Sequence, residues 1–315
     1  MNVATLIGQA EEALEEGDTE TALRVGKQLI EARHTFGFEA VARAHHADGD
    51  DEQAFATLEQ GVKEAPHVWT LWHLLGNYAS DAEDYPRAFE CYERALACDR
   101  VEADVVHLNY AADLHNAGRD DEVLARLALV KDPEYTTPVA VVAADALNAL
   151  GRHQQALDGA RQAIAAAPND AENADLARLY CAIAEALRQR DDREGALAAC
   201  WKAIAYDHDS ERAMALIREV EAQYSGKARY FRLLIQGRGP NPEEGDAADQ
   251  GFLMKCDVVA DTPEEALRLI ARFEPAEMRA SLTIEETESV RSAEADQPKG
   301  VYWFSGRAFY QEDKG

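Results

Sequence analysis

No run of apolar residues in this chain approaches the ~20 that a helix needs to cross a bilayer. Basic charge is scarce: 32 Lys and Arg stand against 59 Asp and Glu, a formal charge of −27. Nucleic acids and anionic lipid surfaces carry dense negative charge, so neither is an expected partner, and a neutral or basic protein is. Cysteine is sparse as well. Cys91, Cys98, Cys181, Cys200 and Cys256 are odd in number, scattered and without a CxxC pair, which predicts reduced thiols rather than a disulfide framework. The stretch from Met1 to Glu16 has no basic segment ahead of its apolar residues, so no secretory signal is expected there and a cytoplasmic location is. Enzyme signatures are missing too: no P-loop, no GxGxxG after a strand, no HExxH and no nucleophile elbow. Neither a catalytic centre nor a cofactor is expected.

The acidity is unevenly spread. Residues 1–224 hold 20 basic against 42 acidic side chains, residues 225–315 only 12 against 17. The acidic first part carries a repeating pattern. Its clearest unit runs from Trp69 to Glu102 and contains Trp72, Leu75, Gly76, then Asp84, Tyr85, Pro86, Arg87, Ala88, then Tyr92 and Ala95. Gly76 and Ala88 mark a close helix crossing, while Tyr92 and Ala95 face inward three residues apart. The central small residue recurs as Ala22, Ala54, Ala88, Val123, Ala156 and Ala196, in steps of 32, 34, 35, 33 and 40 residues. Gly17, Gly49, Gly118 and Gly151 precede it in four copies, where a left-handed residue can end the first helix. Pro66, Pro133 and Pro168 close units.

This pattern resembles the tetratricopeptide (TPR) repeat, a pair of helices with a period of ~34 residues. The resemblance covers roughly residues 1–209 in six copies. It implies a mainly α fold: a right-handed α-α superhelix of six TPR repeats with a capping helix, then a small α+β domain. Val123 in place of alanine predicts a slightly splayed fourth pair, and the step of 40 predicts a longer loop near Pro168–Asp175. Ser210–Tyr224, with Ala213, Leu216, Ile217 and Val220 at helical spacing, reads as the capping helix ending at Gly226. The expected division is therefore 1–226 and 227–315.

From Lys227 the apolar period changes from 3.6 to 2. Phe231, Leu233 and Ile235 alternate, as do Phe252, Met254, Cys256 and Val258. Between them Gly237–Gln250, rich in Gly, Pro and acids, predicts a long mobile hairpin loop open to proteases. Thr262, Pro263 and Glu265 open a helix with a capping box, and Ala266, Leu269, Ile270 and Phe273 form its apolar face. A third strand is predicted around Ala280, Leu282 and Ile284, then a polar loop over Ser292–Gly300. Val301–Tyr310 reads either as one long strand or as a hairpin about Ser305, Gly306 and Arg307. The order is β-β-α-β-β. The aromatic residues of Val301–Tyr310 need cover, either from the capping helix or from a second copy of the chain, so a homodimer through this domain is one expectation.

Among candidate sites, His45 and His46 with Asp48 and Asp50 span a helix end without the ligand spacing of zinc helices, so no metal is expected. The resemblance implies that the first helix of each repeat lines a binding groove. The groove residues are then Arg43, His46, His73, Asn77, Asp81, His115, Asn116, Asp145, Asn148, Glu185 and Arg188, with Asn109 beside Asn77. In TPR modules that hold acidic C-terminal peptides, two asparagines grip the peptide backbone and basic residues clamp its carboxylate. Asn77 and Asn109 match the asparagines, whereas His73, Pro138 and Val142 stand at the basic positions. Backbone gripping is therefore expected, and a carboxylate clamp is not. The function expected is a scaffold, adaptor or chaperone-like protein that binds another polypeptide. The alternative is an acidic inhibitor or immunity-type protein that neutralises a basic target.

Overall fold

The computed structural model describes residues 2–168, 171–241 and 249–310. Contacts group the chain into two compact units, Met1–Ala146 and Leu147–Gly315. Among the described residues, twelve helices follow one another as six pairs joined by short turns. They are α1 (Val3–Glu15) with α2 (Thr19–Glu31), α3 (Phe36–Ala47) with α4 (Asp51–Glu64), α5 (Trp69–Asp81) with α6 (Tyr85–Leu96), α7 (Ala103–Asn116) with α8 (Asp120–Leu127), α9 (Thr136–Ala149) with α10 (His153–Ala166), and α11 (Asn173–Arg188) with α12 (Arg193–Tyr206). A single helix α13 (Glu211–Glu221) follows, then β1 (Arg229–Pro240), β2 (Asp249–Ala260), α14 (Pro263–Ala271), β3 (Thr283–Ser292), β4 (Gly300–Phe304) and β5 (Ala308–Tyr310).

Each pair is built by the same local rules. Ala22, Ala54, Ala88, Val123, Ala156 and Ala196 are all fully buried. The residue that turns the chain between paired helices is left-handed at Gly17, Gly49, Gly118 and Gly151, with φ between 70° and 77°. In the third and sixth pairs Glu83 (φ 58°) and Asp191 (φ 62°) take that conformation instead, at a cost that glycine avoids. Asp18, Asp50, Asp84 and Asp192 then cap the second helix by accepting a backbone N–H three residues on. Arg119 and Arg152 stand there in the fourth and fifth pairs and reach forward to Glu122 and Gln155.

In the first unit the helices touch where side chains are smallest. A Cβ on Gly76 would lie 2.7 Å from Tyr92 Cε1 and 3.3 Å from Cys91 Cβ, so α5 can meet α6 only through glycine. Gly26 and Gly37 make the same close approach between α2 and α3. The surplus in the step of 40 is only partly a loop. The segment before α11 has six residues, as does the one before α7, and α11 itself is lengthened to 16 residues. Residues 169–170 of the predicted loop lie outside the described residues.

The sheet of the second unit is antiparallel in every described pairing, in the order β3-β1-β2, with β4 and β5 both beside β2. Val301–Tyr310 is thus one strand line interrupted at Ser305–Arg307, not a hairpin. Phe231, Leu233, Ile235, Phe252, Met254, Cys256 and Val258 are buried together with Ala266, Ile270 and Phe273. Two expectations about these strands need correction. Both ends of the predicted hairpin loop are strand, because Gly237, Arg238, Gly239 and Pro240 pair with Phe252, Gly251, Gln250 and Asp249; residues 242–248 lie outside the described residues. Gly237 and Gly251 are there for close approach, since Cβ atoms would collide with Phe252 and Tyr310. The third strand starts only at Thr283 and runs to Ser292 through exposed Glu285, Glu286 and Glu288, while Ala280 lies in a 3₁₀ turn. Charge and two register shifts mark β3 as an edge strand, which polar residues protect from further pairing.

The last helix ends earlier than expected, at Ala222 in a left-handed conformation (φ 47°). It packs onto the sheet. Arg218 donates to the Val301 carbonyl and lies 3.8 Å over the ring of Tyr302. Glu221 accepts from Arg272, and Lys299 N–H donates to the Gln223 carbonyl. This helix covers the aromatic strand at Val301 and Tyr302, while Phe304 packs on the rings of His208 and Phe273.

Candidate functional site in the first helices of repeats two to four

Spacing places the site. His73, Asn77 and Asp81 lie four residues apart on α5, hence on one face, and Asn109 and Asp113 repeat that spacing on α7. Together with Leu74, Tyr78, Ser80, Tyr92 and Ala112, four of these five, all but His73, line a pocket of about 390 Å³.

Its floor is a hydrogen-bonded network. Buried Asp113 accepts from Ser80 Oγ at 2.6 Å and from the Tyr92 hydroxyl at 2.7 Å. The same hydroxyl lies 3.0 Å from Asn77 Oδ1, which also accepts from Asn109 Nδ2 at 3.2 Å. Asn109 Nδ2 reaches His73 Nε2 at 2.9 Å. Burial, and then the charge of Arg43, push His73 down to about 4, so its ring is neutral at pH 7 and Nε2 can accept this bond. Burial raises the Asp113 carboxyl above its ordinary range, against the bonds from Ser80 and Tyr92. Burial also pushes Tyr78 up to about 12. The network leaves two groups without a partner among the described residues: the Asn77 amide donor and the Asn109 carbonyl acceptor. One donor and one acceptor side by side match the C=O and N–H of an extended peptide.

The remaining predicted residues divide. His46 joins the rim of the first unit: its ring stacks on Tyr78 at 4.3 Å, and Nδ1 lies 2.7 Å from Asp51 Oδ1. Arg43 and Asn116 are exposed. His115 turns instead toward Asp120, 2.5 Å away in its own helix pair. Asp145 is buried. In the second unit Asn148 is buried and donates to the Ala182 carbonyl at 2.8 Å, a bond between helices. Glu185 and Arg188 form a two-bond pair with each other, at 2.7 and 3.0 Å. Sequence reasoning missed Asp113 and Ser80. The signal for Asp113 was present, since it follows Asn109 by one helical turn as Asp81 follows Asn77.

Among the described residues no group of three or more His, Cys, Asp or Glu is placed to hold a metal ion, and no helix is long and apolar enough to cross a membrane. His46 of the histidine cluster is engaged by Asp51 and Tyr78, and His45 is half-buried.

The helical array is a tetratricopeptide-repeat fold. A TPR protein from Parabacteroides merdae superposes with a TM-score of 0.58 at 12% identity, over 70% of this chain and 86% of that one. The Cut9–Hcn1 hetero-tetramer of the APC/C gives 0.56 at 11%, over 68% of this chain but only 41% of its own. PilW, a type IV pilus biogenesis factor, gives 0.51 at 17%, over 60% and 84%. At these identities the likeness concerns the fold alone. No family model matches the chain, and neither does any curated protein sequence.

Proposed function

We propose that this chain is a protein-interaction scaffold that holds an extended, basic segment of another polypeptide in the groove of α3, α5 and α7. One observation carries the reading: the unpaired Asn77 donor and Asn109 acceptor stand side by side over a pocket walled by carboxylates. The amides grip one peptide unit of the ligand. Asp81 and the buried Asp113 then favour a Lys or Arg side chain, whose alkyl stem lies along Leu74 and Ala112. His73 stays neutral at pH 7 and therefore adds no repelling charge. Such a site needs no metal, cofactor or nucleophile. The acidic-inhibitor alternative draws on the net charge alone. Pairing of two copies through the exposed edge β3 gains no support, because it would set the row Glu285, Glu286 and Glu288 against the same row of the other copy.

Selection of a random displayed peptide library on the full chain tests this. Peptides carrying Lys or Arg at one fixed position should be enriched, and an Asn77→Ala, Asn109→Ala double variant should lose that enrichment. If the double variant selects the same peptides as the parent, the groove is not where polypeptide binds.

A further inference from the structure

A cavity of about 640 Å³ lies within the second unit, where α12 ends and the chain leaves α14. Trp201, Ile204 and Ala205 of α12 form one wall, and Phe273 and Pro275 form another. The walls are locked by rings: Trp201 meets Phe273 edge-on at 5.0 Å, and Phe273 meets Phe304 at 5.2 Å. Volume, apolar lining and a few convergent polar groups are the usual attributes of a small-molecule site.

The polar groups are His208, Arg272, Glu274, Arg279 and Arg307. Arg272 lies over the Trp201 ring at 5.0 Å and is neutralised by Glu221. Glu274 is wholly buried. Burial works to raise its pKa, yet His208 at 3.2 Å and Arg307 at 2.6 Å hold it below the ordinary carboxylate range, so it neutralises Arg307. His208 Nε2 and Glu274 Oε1 face each other at 3.2 Å without hydrogen-bond geometry, and Arg307 Nε is buried without a hydrogen-bond partner among the described residues. Arg279 differs from both other arginines. Its Nε donates to the Glu274 backbone carbonyl at 2.9 Å and its Nη2 to the Arg272 carbonyl at 3.5 Å, and no carboxylate among the described residues pairs with it. A guanidinium is thus fixed by backbone at the edge of an aromatic cleft, without a counter-charge among the described residues, on a chain of net charge −27.

We propose that this cleft binds a small organic carboxylate with an aromatic or branched apolar body. The body lies on Trp201, Ile204 and Phe273, and the carboxylate meets the free edge of Arg279, whose planar fork matches a carboxylate in two bonds. A phosphate dianion fits less well, because its second charge would face Glu274 with no second uncompensated cation nearby. The site is independent of the groove reading, and neither stands or falls with the other.

N-acetylphenylalanine and its uncharged amide share one body and differ only in charge, so calorimetry of the full chain with both isolates the role of Arg279. The acid should bind at least about tenfold more tightly than the amide, which is the worth of one charge-assisted contact. Arg279→Gln should bring the acid down to the amide's affinity and leave the amide unchanged. Ala205→Trp, at an exposed position on the wall, should fill the cleft and abolish both. The proposal is overturned if acid and amide bind alike, if neither binds at about 10 mM, or if the acid keeps its affinity in Arg279→Gln. Should Ala205→Trp fail to fold, the Arg279→Gln comparison still decides.

Discussion

The helices around the groove and the junction of α12 and α13 with the sheet reach close packing by opposite means. Around the groove contact depends on what is missing: Gly26, Gly37, Gly76, Ala54 and Ala88 let helix backbones approach, and Tyr92 fills the space over Gly76. At the junction contact depends on large and charged side chains, with Trp201, Phe273 and Phe304 meeting edge to face in series. Glu274 is buried between His208 and Arg307, and Arg218 is clamped over Tyr302. Small-residue packing is repeated and tolerates no added volume. Charge-and-ring packing occurs once and tolerates no lost charge. Substitutions should therefore fail for different reasons in the two places.

The largest effect is expected at the junction. Glu274→Ala leaves Arg307 without its carboxylate in a buried setting, and breaking such a pair costs about 3–5 kcal/mol. Chemical denaturation of the full chain should show the loss in the transition of the second unit. An unchanged midpoint would mean that Glu274 contributes nothing there and that the contrast drawn above is wrong. The groove side has its own titration. His73 is held near 4 when folded and takes up its proton near 6.5 when unfolded. A lowered histidine pKa gives stability that is complete above pH 6.5 and declines as pH falls toward 4. Between pH 6.5 and 5 the loss should be about 2 kcal/mol, and His73→Gln should flatten that slope. A slope unchanged by the substitution would place His73 in water.

What could be read beforehand follows the same contrast. A repeat states its constraints six times, so Ala22 through Ala196 and the four turn glycines were legible from period alone. Glu83 and Asp191 take the glycine's place in two turns, and nothing in their side chains announces a left-handed backbone. The junction states its constraints once. Gly237 reads as a loop residue because the chain does not say that Phe252 will lie over it. Strand β3 was misplaced for a related reason: an edge strand buries little, so Glu285 to Arg291 carries almost no apolar alternation. In the groove, Asn77, Asp81 and Asn109 were found by register, whereas Ser80 and the role of Tyr92 required knowing which helix lies beside which. His208 joins Glu274 across 66 residues of chain, a distance over which sequence pattern has no reach.

Smaller losses are expected from added volume in the groove helices. Gly76→Leu should cost ~1–3 kcal/mol or more, since even a Cβ collides with Tyr92, and Ala88→Leu should behave alike at a fully buried position. Thermal midpoints report both. Asn77→Ala, which adds no volume at the crossing, should leave the midpoint nearly unchanged, and a large drop would show that the amide network rather than small-residue packing sets stability there.

The smallest effect in free energy is the one most specific to function. Asp81 is exposed, with 63% of its side chain open to water, whereas Asn77 and Asn109 are half-buried. An exposed charge acts over the ~8 Å screening length of physiological salt, so it accelerates encounter with a basic peptide more than it holds the complex. The amides act only at contact, where each hydrogen bond contributes ~0.5–1.5 kcal/mol net. With a Lys- or Arg-containing peptide from the library selection, Asp81→Asn should slow association and weaken its dependence on salt, while dissociation stays as in the parent. The double variant Asn77→Ala, Asn109→Ala should do the reverse, with faster dissociation and an unaltered salt dependence. Surface-based kinetics at two salt concentrations separate the two. If Asp81→Asn changes only dissociation, the aspartate touches the ligand directly and belongs with the amides. If neither variant changes either rate, the peptide sits elsewhere on the chain, and the unpaired donor and acceptor of the groove are there for water.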